Sequence, residues 1–258
     1  MAEPRPISSR DNPLLVRVRK LVADPGAYRR LGEVWLEGDH LCAAFVQRGG
    51  RALQAVVTSE GWTRPPLRDL ASRAAAVAIV PAELMAGLSS LESPPSIGFV
   101  VATPTAPALT PDAPSVVLDR LQDAGNVGAI LRSASAFGFA QVVALKGTAA
   151  LWSPKVLRAG MGAHFALRLV EGVDAEALDT LRLPLLATSS HAERALHEVD
   201  LPWPCAWVLG NEGQGVAAAL AGRCTMALRI PQPGGEESLN VAAAAAVCLY
   251  ESARQRSA

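Results

Sequence analysis

Three short stretches in the second half of the chain carry residues whose types and spacing could do chemistry. The first, LDRLQDAGNVGAILRSASAFG (118–138), has Gly125 and Gly128 flanking Asn126, with Arg132 six positions further on. Val127, Ile130, Leu131, Ala134 and Phe137 recur at helical spacing and make one buried stripe. Arg132 follows Ile130 by two positions, about 200° round a 3.6-residue helix, so it points away from that stripe. An arginine there can reach a phosphate; an ordinary solvated helix arginine has the same pattern. Asn126 could equally be a helix cap. The second stretch is Gly210-Asn211-Glu212-Gly213-Gln214-Gly215. Three glycines in six let the backbone approach a ligand closely or take positive φ. Neither G-x-G-x-x-G nor G-x-x-x-x-G-K-[ST] occurs, so dinucleotide and P-loop readings lack their signatures. Glu212 would repel a phosphate, so the loop suits a cationic or neutral ligand; a plain glycine-rich turn is the alternative. The third stretch, PQPGGEESLNVAAAAAVCLYE (231–251), brings Glu236, Glu237, Ser238 and Asn240 to the start of the last helix. That helix start offers free N–H donors. Ser238 as N-cap, with the carboxylates complementing the helix dipole, is the structural alternative. Five alanines at 242–246 allow close packing against another helix, internal or from a second subunit.

The elements that must position these loops follow from pattern and punctuation. Residues 103–114, TPTAPALTPDAP, hold four prolines and no periodicity. Proline removes backbone donors and fixes φ. The domain boundary is therefore expected there: a first domain over 1–103, a linker over 104–114 and a second domain over 115–258. In the second domain, apolar runs at 115–119, 141–145, 166–170, 183–188, 206–209 and 225–230 read as buried strands. Helical stretches around 127–137, 154–160, 175–181 and 216–221 separate them, and a long helix over 239–254 closes the chain. Strands alternating with helices predict a mostly parallel, doubly wound sheet. Ligands in such sheets sit beyond the carboxyl ends of the strands, so the informative loops follow Asp119, Thr188, Leu209 and Ile230. The first domain reads as small α/β, with strands at 34–37, 53–58, 76–80 and 98–102 and helices at 12–23, 39–48, 66–73 and 81–88.

Composition narrows the partner and the compartment. The 258 residues are half hydrophobic, with 24 Lys+Arg against 24 Asp+Glu, so net charge argues for no polyanionic partner. Residues 1–30 are the exception: seven cations, among them Arg10, Arg17 and Lys20, face three acids. That is an RNA-facing arm and helix, or a solvated helix face. No apolar run approaches the roughly 20 residues of a membrane span. The N-terminus has no apolar core of a signal peptide. Cys42, Cys205, Cys224 and Cys248 are far apart and form no C-x-x-C, which makes a zinc site or a disulfide framework unexpected. A cytoplasmic protein without a metal is the expectation.

Taken together, the three stretches resemble the signature motifs of the SpoU (TrmH-type) RNA ribose 2′-O-methyltransferases of the SPOUT superfamily. The matching residues are Asn126-x-Gly128-x-Ile130-x-Arg132 with Ala136-Phe137-Gly138; Leu209-Gly210-Asn211-Glu212-Gly213 with Gly215; and Ile230-Pro231 with Ser238-Leu239-Asn240-Val241. The resemblance covers 115–254; more loosely, the first domain resembles the substrate-binding domain that often precedes this fold. It implies a parallel-sheet α/β knot, a deep trefoil, preceded by a small α/β RNA-binding domain. It also implies S-adenosylmethionine as methyl donor, no metal, and a homodimer through the last helix. Arg132, Asn126, Glu212, Ser238 and Asn240 take the family's catalytic positions. Thr188, Leu209, Gly210, Asn211, Gly213, Ile230, Ser238 and Leu239 take its cofactor-binding positions. Arg10, Arg17, Lys20 and Arg132 would face RNA. No role falls to 232–237. The implied activity is 2′-O-methylation of RNA, ribosomal before transfer RNA because a dedicated reader domain suits folded RNA recognised by shape. A non-catalytic RNA-binding scaffold of the same fold and a nucleotide-binding enzyme are the rivals. An arginine stays protonated at neutral pH, so Arg132 is better suited to gripping the neighbouring phosphate and stabilising the developing alkoxide than to acting as a base. His164 is a lesser proton-acceptor candidate, against its reading as a structural histidine.

Overall fold

The computed structural model describes residues 4–105, 107–234 and 238–257. The chain divides into two units: 1–105 with 152–165, and 106–151 with 166–258. In the first, the elements run β1 (Arg5–Pro6), α1 (Pro13–Ala23), α2 (Ala27–Leu31), β2 (Glu33–Glu37), α3 (Asp39–Gln47), β3 (Gln54–Thr58), α4 (Ser59–Thr63), α5 (Pro65–Ala71), β4 (Val77–Val80), α6 (Ala82–Ala86) and β5 (Ile97–Ala102). The sheet order is β1-β4-β3-β5-β2; β1, β4 and β3 are parallel, and β5 runs antiparallel to its neighbours β3 and β2.

The second unit contains β6 (Ser115–Asp119), α7 (Ala124–Ala136) and β7 (Gln141–Leu145). The chain then gives α8 (Pro154–Gly160) to the first unit and returns as β8 (Arg168–Val173), β9 (Leu185–Thr188), β10 (Ala206–Gly210), α9 (Ala218–Ala221), β11 (Met226–Leu228) and α10 (Val241–Ser257). All six strands are parallel, in the order β11-β9-β10-β6-β7-β8. Such strands are covered on both faces and read as continuous apolar runs. Val117, Val143, Ala206 and Val208 fill one face with Leu178, Leu185 and Leu220. On α7, Val127, Ile130, Leu131 and Ala134 are buried, as the stripe required, and α10 packs beside it. The indole N–H of buried Trp207 donates to the Ser252 hydroxyl at 2.9 Å, tying β10 to α10.

Two expectations change. Residues Ala175–Thr180 form a 3₁₀ helix, not an α-helix. Phe137 leaves the buried stripe and is half-buried, its ring edge-to-face with Tyr250 at 5.7 Å. α8 belongs with the first unit because its own cation is used there. Arg158 pairs with the buried Glu37 carboxylate at 3.1 Å, while Phe165 meets Phe45 edge-to-face at 5.2 Å.

Candidate active site

The strand order reverses between β6 and β10, whose last residues, Asp119 and Gly210, lie side by side. Doubly wound sheets open a crevice for ligands at such a point. Beyond Gly210 the backbone folds back on itself: the Asn211 and Gly215 N–H groups each donate to the other's carbonyl, at 3.0 and 2.8 Å. A Cβ on Gly210 would lie 2.1 Å from the Gly215 carbonyl carbon and the Val216 nitrogen, so only glycine fits. Gly215 holds φ of +67°, the left-handed region.

Hydrogen bonds tie the loop to its neighbours. The Asn211 carboxamide accepts from the Gly213 and Gln214 N–H groups at 3.0 and 3.1 Å and donates to the Arg120 carbonyl at 2.9 Å. It thus holds the loop's shape. Arg120 itself takes φ of +59° and bridges the buried Asp119 carboxylate and the Gln214 amide, each at about 3 Å. Glu212 reaches across to α7. Its carboxylate accepts from the backbone N–H of Asp123 (3.2 Å) and Gln122 (3.4 Å) and from the Asn126 amide (3.2 Å). The Asn126 amide oxygen in turn accepts from the Asn240 amide at 2.9 Å. Asn240 caps α10, accepting from the Ala242 and Ala243 N–H groups at 2.9 and 3.3 Å. One hydrogen-bonded chain therefore joins all three motif loops.

Both capping alternatives are corrected. Asp123, not Asn126, caps α7, accepting the Asn126 N–H at 2.7 Å. Asn240, not Ser238, caps α10, which leaves the Ser238 hydroxyl without a hydrogen-bond partner among the described residues. Burial pushes the Glu212 pKa up, but its own backbone N–H, the Asn126 amide and the Asp123 and Gln122 N–H groups outweigh that. The net shift is below the ordinary 4.5, so the carboxylate stays ionised at neutral pH.

Thr188, Ile230, Ser238 and Leu239 line one cavity of about 130 Å³ together with Ser189, Ser190, Gln232 and Ala244. That is below the roughly 300–1,000 Å³ of a closed ligand pocket, so it takes one ring system of a larger ligand. Leu209 is core, with 1% of its surface exposed, and offers the site only its backbone. Arg132 lies two turns into α7, exposed and without a hydrogen bond or ion pair among the described residues. Gly128 and Ala129, four and three positions before it, leave the ground beneath its side chain open. In the first unit Arg10 and Lys20 are exposed, while Arg17 is held by Glu33 at 2.5 Å. His164 is 2% exposed, with its ring 5.3 Å from that of Trp152, shut away from any polynucleotide. Glu236 and Glu237 lie outside the described residues.

Sequence reasoning gave no role to Asp123, Arg120, Ser189, Ser190 or Gln232. Asp123 had a local signal, an acidic residue three positions before Asn126 where the helix begins. Gln232 had none, since the cavity it lines is assembled from strands far apart in the chain.

The sequence profile of the SpoU rRNA Methylase family matches residues 113–250, which hold every residue of the hydrogen-bonded chain and the cavity. The chain belongs to this family. An uncharacterized tRNA/rRNA methyltransferase of Synechocystis is 34% identical over 97% of this chain and 94% of its own length. The 23S rRNA (guanosine(2553)-2′-O)-methyltransferase RlmP of Bacillus subtilis is 32% identical over 83% of this chain and 86% of its own. The structure of the SpoU methyltransferase AviRb from Streptomyces viridochromogenes, in complex with the cofactor AdoMet, superposes with a TM-score of 0.87. It is 26% identical to this chain and covers 96% of it and 99% of AviRb. No described helix is long and apolar enough to cross a membrane.

The site fits such a cofactor on its own terms. It offers an ionised carboxylate, which suits a cationic ligand, a backbone bend with no room for a side chain, and a cavity with apolar Ile230 and Leu239 among hydroxyls. The Gln232 amide oxygen is buried without a hydrogen-bond partner among the described residues.

Proposed function

We propose that the protein transfers the methyl group of S-adenosylmethionine to a ribose 2′-hydroxyl of ribosomal RNA in the cytoplasm. The observation that carries this reading is the hydrogen-bonded chain Glu212–Asn126–Asn240, which gathers the three motif loops at the switch point of the parallel sheet. The bound sulfonium supplies an activated methyl group. The cavity around Thr188, Ile230, Ser238 and Leu239 binds the adenosyl part, and the bend after Gly210 closes against it. Glu212 and Asn126 keep the two loops at fixed separation. Fixing reactants in line is worth about 7–11 kcal/mol of barrier. Arg132, exposed and uncommitted, grips the RNA phosphate beside the target ribose and stabilises the oxyanion as the hydroxyl proton passes to that phosphate.

Arg10 and Lys20 offer the first unit's cations to the RNA backbone; Arg17 contributes through its pairing with Glu33. The relation to RlmP supports a ribosomal target. Ser238, with its hydroxyl uncommitted, contacts the cofactor. The trefoil knot and a homodimer through α10 belong to the same proposal. The dimer is supported by Val247 and Tyr250, 41% and 54% exposed on one face of α10. Mapping 2′-O-methyl positions in total RNA from cells with and without the protein tests the reading. One or a few ribosomal positions should disappear. Unchanged ribosomal RNA overturns it, and a lost transfer-RNA position would move the target there.

A further inference from the structure

Gln232 follows the third strand end of the crevice by a few residues, in a segment to which the motif comparison gives no role. Gln232 lines the cavity with Thr188, Ser189, Ser190, Ser238, Ile230 and Leu239. Its amide oxygen is buried and accepts no hydrogen bond among the described residues. A buried acceptor without a donor has already lost its water and gained nothing in return. A ligand that supplies the donor would satisfy it. The hydroxyls of Thr188, Ser189, Ser190 and Ser238 can each donate or accept, so they do not select a donor-bearing ligand. A carboxamide oxygen only accepts.

Which donor it meets follows from the cavity. Ile230, Leu239 and Ala244 give it apolar walls, and its volume admits one flat ring system. Apolar walls with a single orphaned acceptor suit a heteroaromatic ring bearing an exocyclic amine. A sugar brings several hydroxyls and would need several fixed partners. We infer that Gln232 is a specificity-determining residue for the methyl donor: its amide oxygen accepts a hydrogen bond from the 6-amino group of the adenine ring. This rests on the proposed use of S-adenosylmethionine and adds a residue that reads its base.

The test is a binding cycle by calorimetry with the full chain. Two ligands are used, S-adenosylhomocysteine and its analogue lacking the 6-amino group, on the wild type, Gln232→Met and Gln232→Glu. The wild type should prefer the amino-bearing ligand about tenfold, the worth of one well-placed hydrogen bond. Gln232→Met keeps the length and loses the acceptor, so the two ligands should bind it within about twofold of each other. Gln232→Glu keeps an acceptor and should keep the preference. Both ligands are measured on each variant, so partial unfolding cancels from the ratio. A wild type without preference, or a Gln232→Met variant that retains it, overturns the inference. A wild type that binds neither ligand instead overturns the reading of the cofactor.

Discussion

The substitution Asn126→Asp changes one atom of the chain that joins the loops. Asn126 donates to Glu212 at 3.2 Å and accepts from Asn240 at 2.9 Å. Aspartate keeps the acceptor toward Asn240 but turns a second anion on the Glu212 carboxylate. Two unit charges about 4 Å apart repel by about 1 kcal/mol in water and about 4 at an effective dielectric of 20. The lost hydrogen bond to a charged group adds about 1.5–3 kcal/mol. The pair is solvent-accessible, so the lower values apply. Docking of the Gly210–Gly215 loop should weaken by about 2.5 kcal/mol, approaching a hundredfold. Like charges raise the pKa of the pair, so the penalty is full at high pH and falls as pH drops and one carboxyl takes up a proton. The wild type behaves in the opposite sense. Its Glu212 pKa lies below 4.5, so its tether is intact at neutral pH and is lost only as pH falls through that lower value. Hydrogen exchange at the Gln122 and Asp123 amides and S-adenosylhomocysteine affinity, each at pH 8 and 5.5, read both trends. Asn126→Asp should exchange faster and bind more weakly at pH 8 and recover toward pH 5.5; Asn126→Ala should not recover. Wild-type protection in Asn126→Asp at pH 8, or a defect independent of pH, would refute the reasoning.

Other outcomes follow from the same geometry. Arg132→Ala should lower the rate of methyl transfer by about 10²–10³ while leaving S-adenosylhomocysteine affinity within about twofold, because Arg132 is exposed and outside the cavity. Gly210→Ala forces a methyl onto backbone 2.1 Å away. Overpacking of this kind costs about 1–3 kcal/mol and should lower Tm by about 2–12 °C, with loss of cofactor binding. On α10, hydrogen bonds from Arg254 hold the Glu251 pKa down at about 2, against an ordinary 4.5. A lowered carboxylate pKa stabilises above 4.5 and ceases to do so as pH falls toward 2. The Tm difference between the wild type and Glu251→Gln should therefore be largest near pH 6–7 and shrink by pH 3.

The parts of this architecture that were legible in the sequence are those set by local pattern. Strands β6 and β7 span the bounds read from their apolar runs: Val116–Leu118 and Val142–Leu145 are buried, with the buried polar residues Ser115, Asp119 and Gln141 at the strand ends. The outward direction of Arg132 followed from helical period alone. The glycines at 210 and 215 were recognisable as backbone devices, although the clash at Gly210 depends on Val216 folding back over it. Which residue caps each helix was not legible, since capping depends on where helical φ and ψ begin. Asp123 and Asn240 won over Asn126 and Ser238 by a few residues. The allegiance of α8 was hidden for a different reason. Its apolar residues declare a buried face but not which core it fills, and its partner Glu37 lies 121 residues away. The cavity residue Gln232 was silent because its meaning lies in an unmet hydrogen bond, which has no pattern in one dimension.

The central claim is the chemistry at the ribose, and alkali reports it directly. RNA is cleaved by alkali through its 2′-hydroxyl, so a methyl group placed there protects the next bond. Ribosomal RNA from cells lacking the protein, incubated with it and S-adenosylmethionine labelled in the methyl group, should yield label in alkali-resistant dinucleotides, and Arg132→Ala should slow its appearance by about 10²–10³. Label recovered in mononucleotides, where the methyl sits on a base, or no label in RNA from an enzyme that binds the donor, would contradict the account.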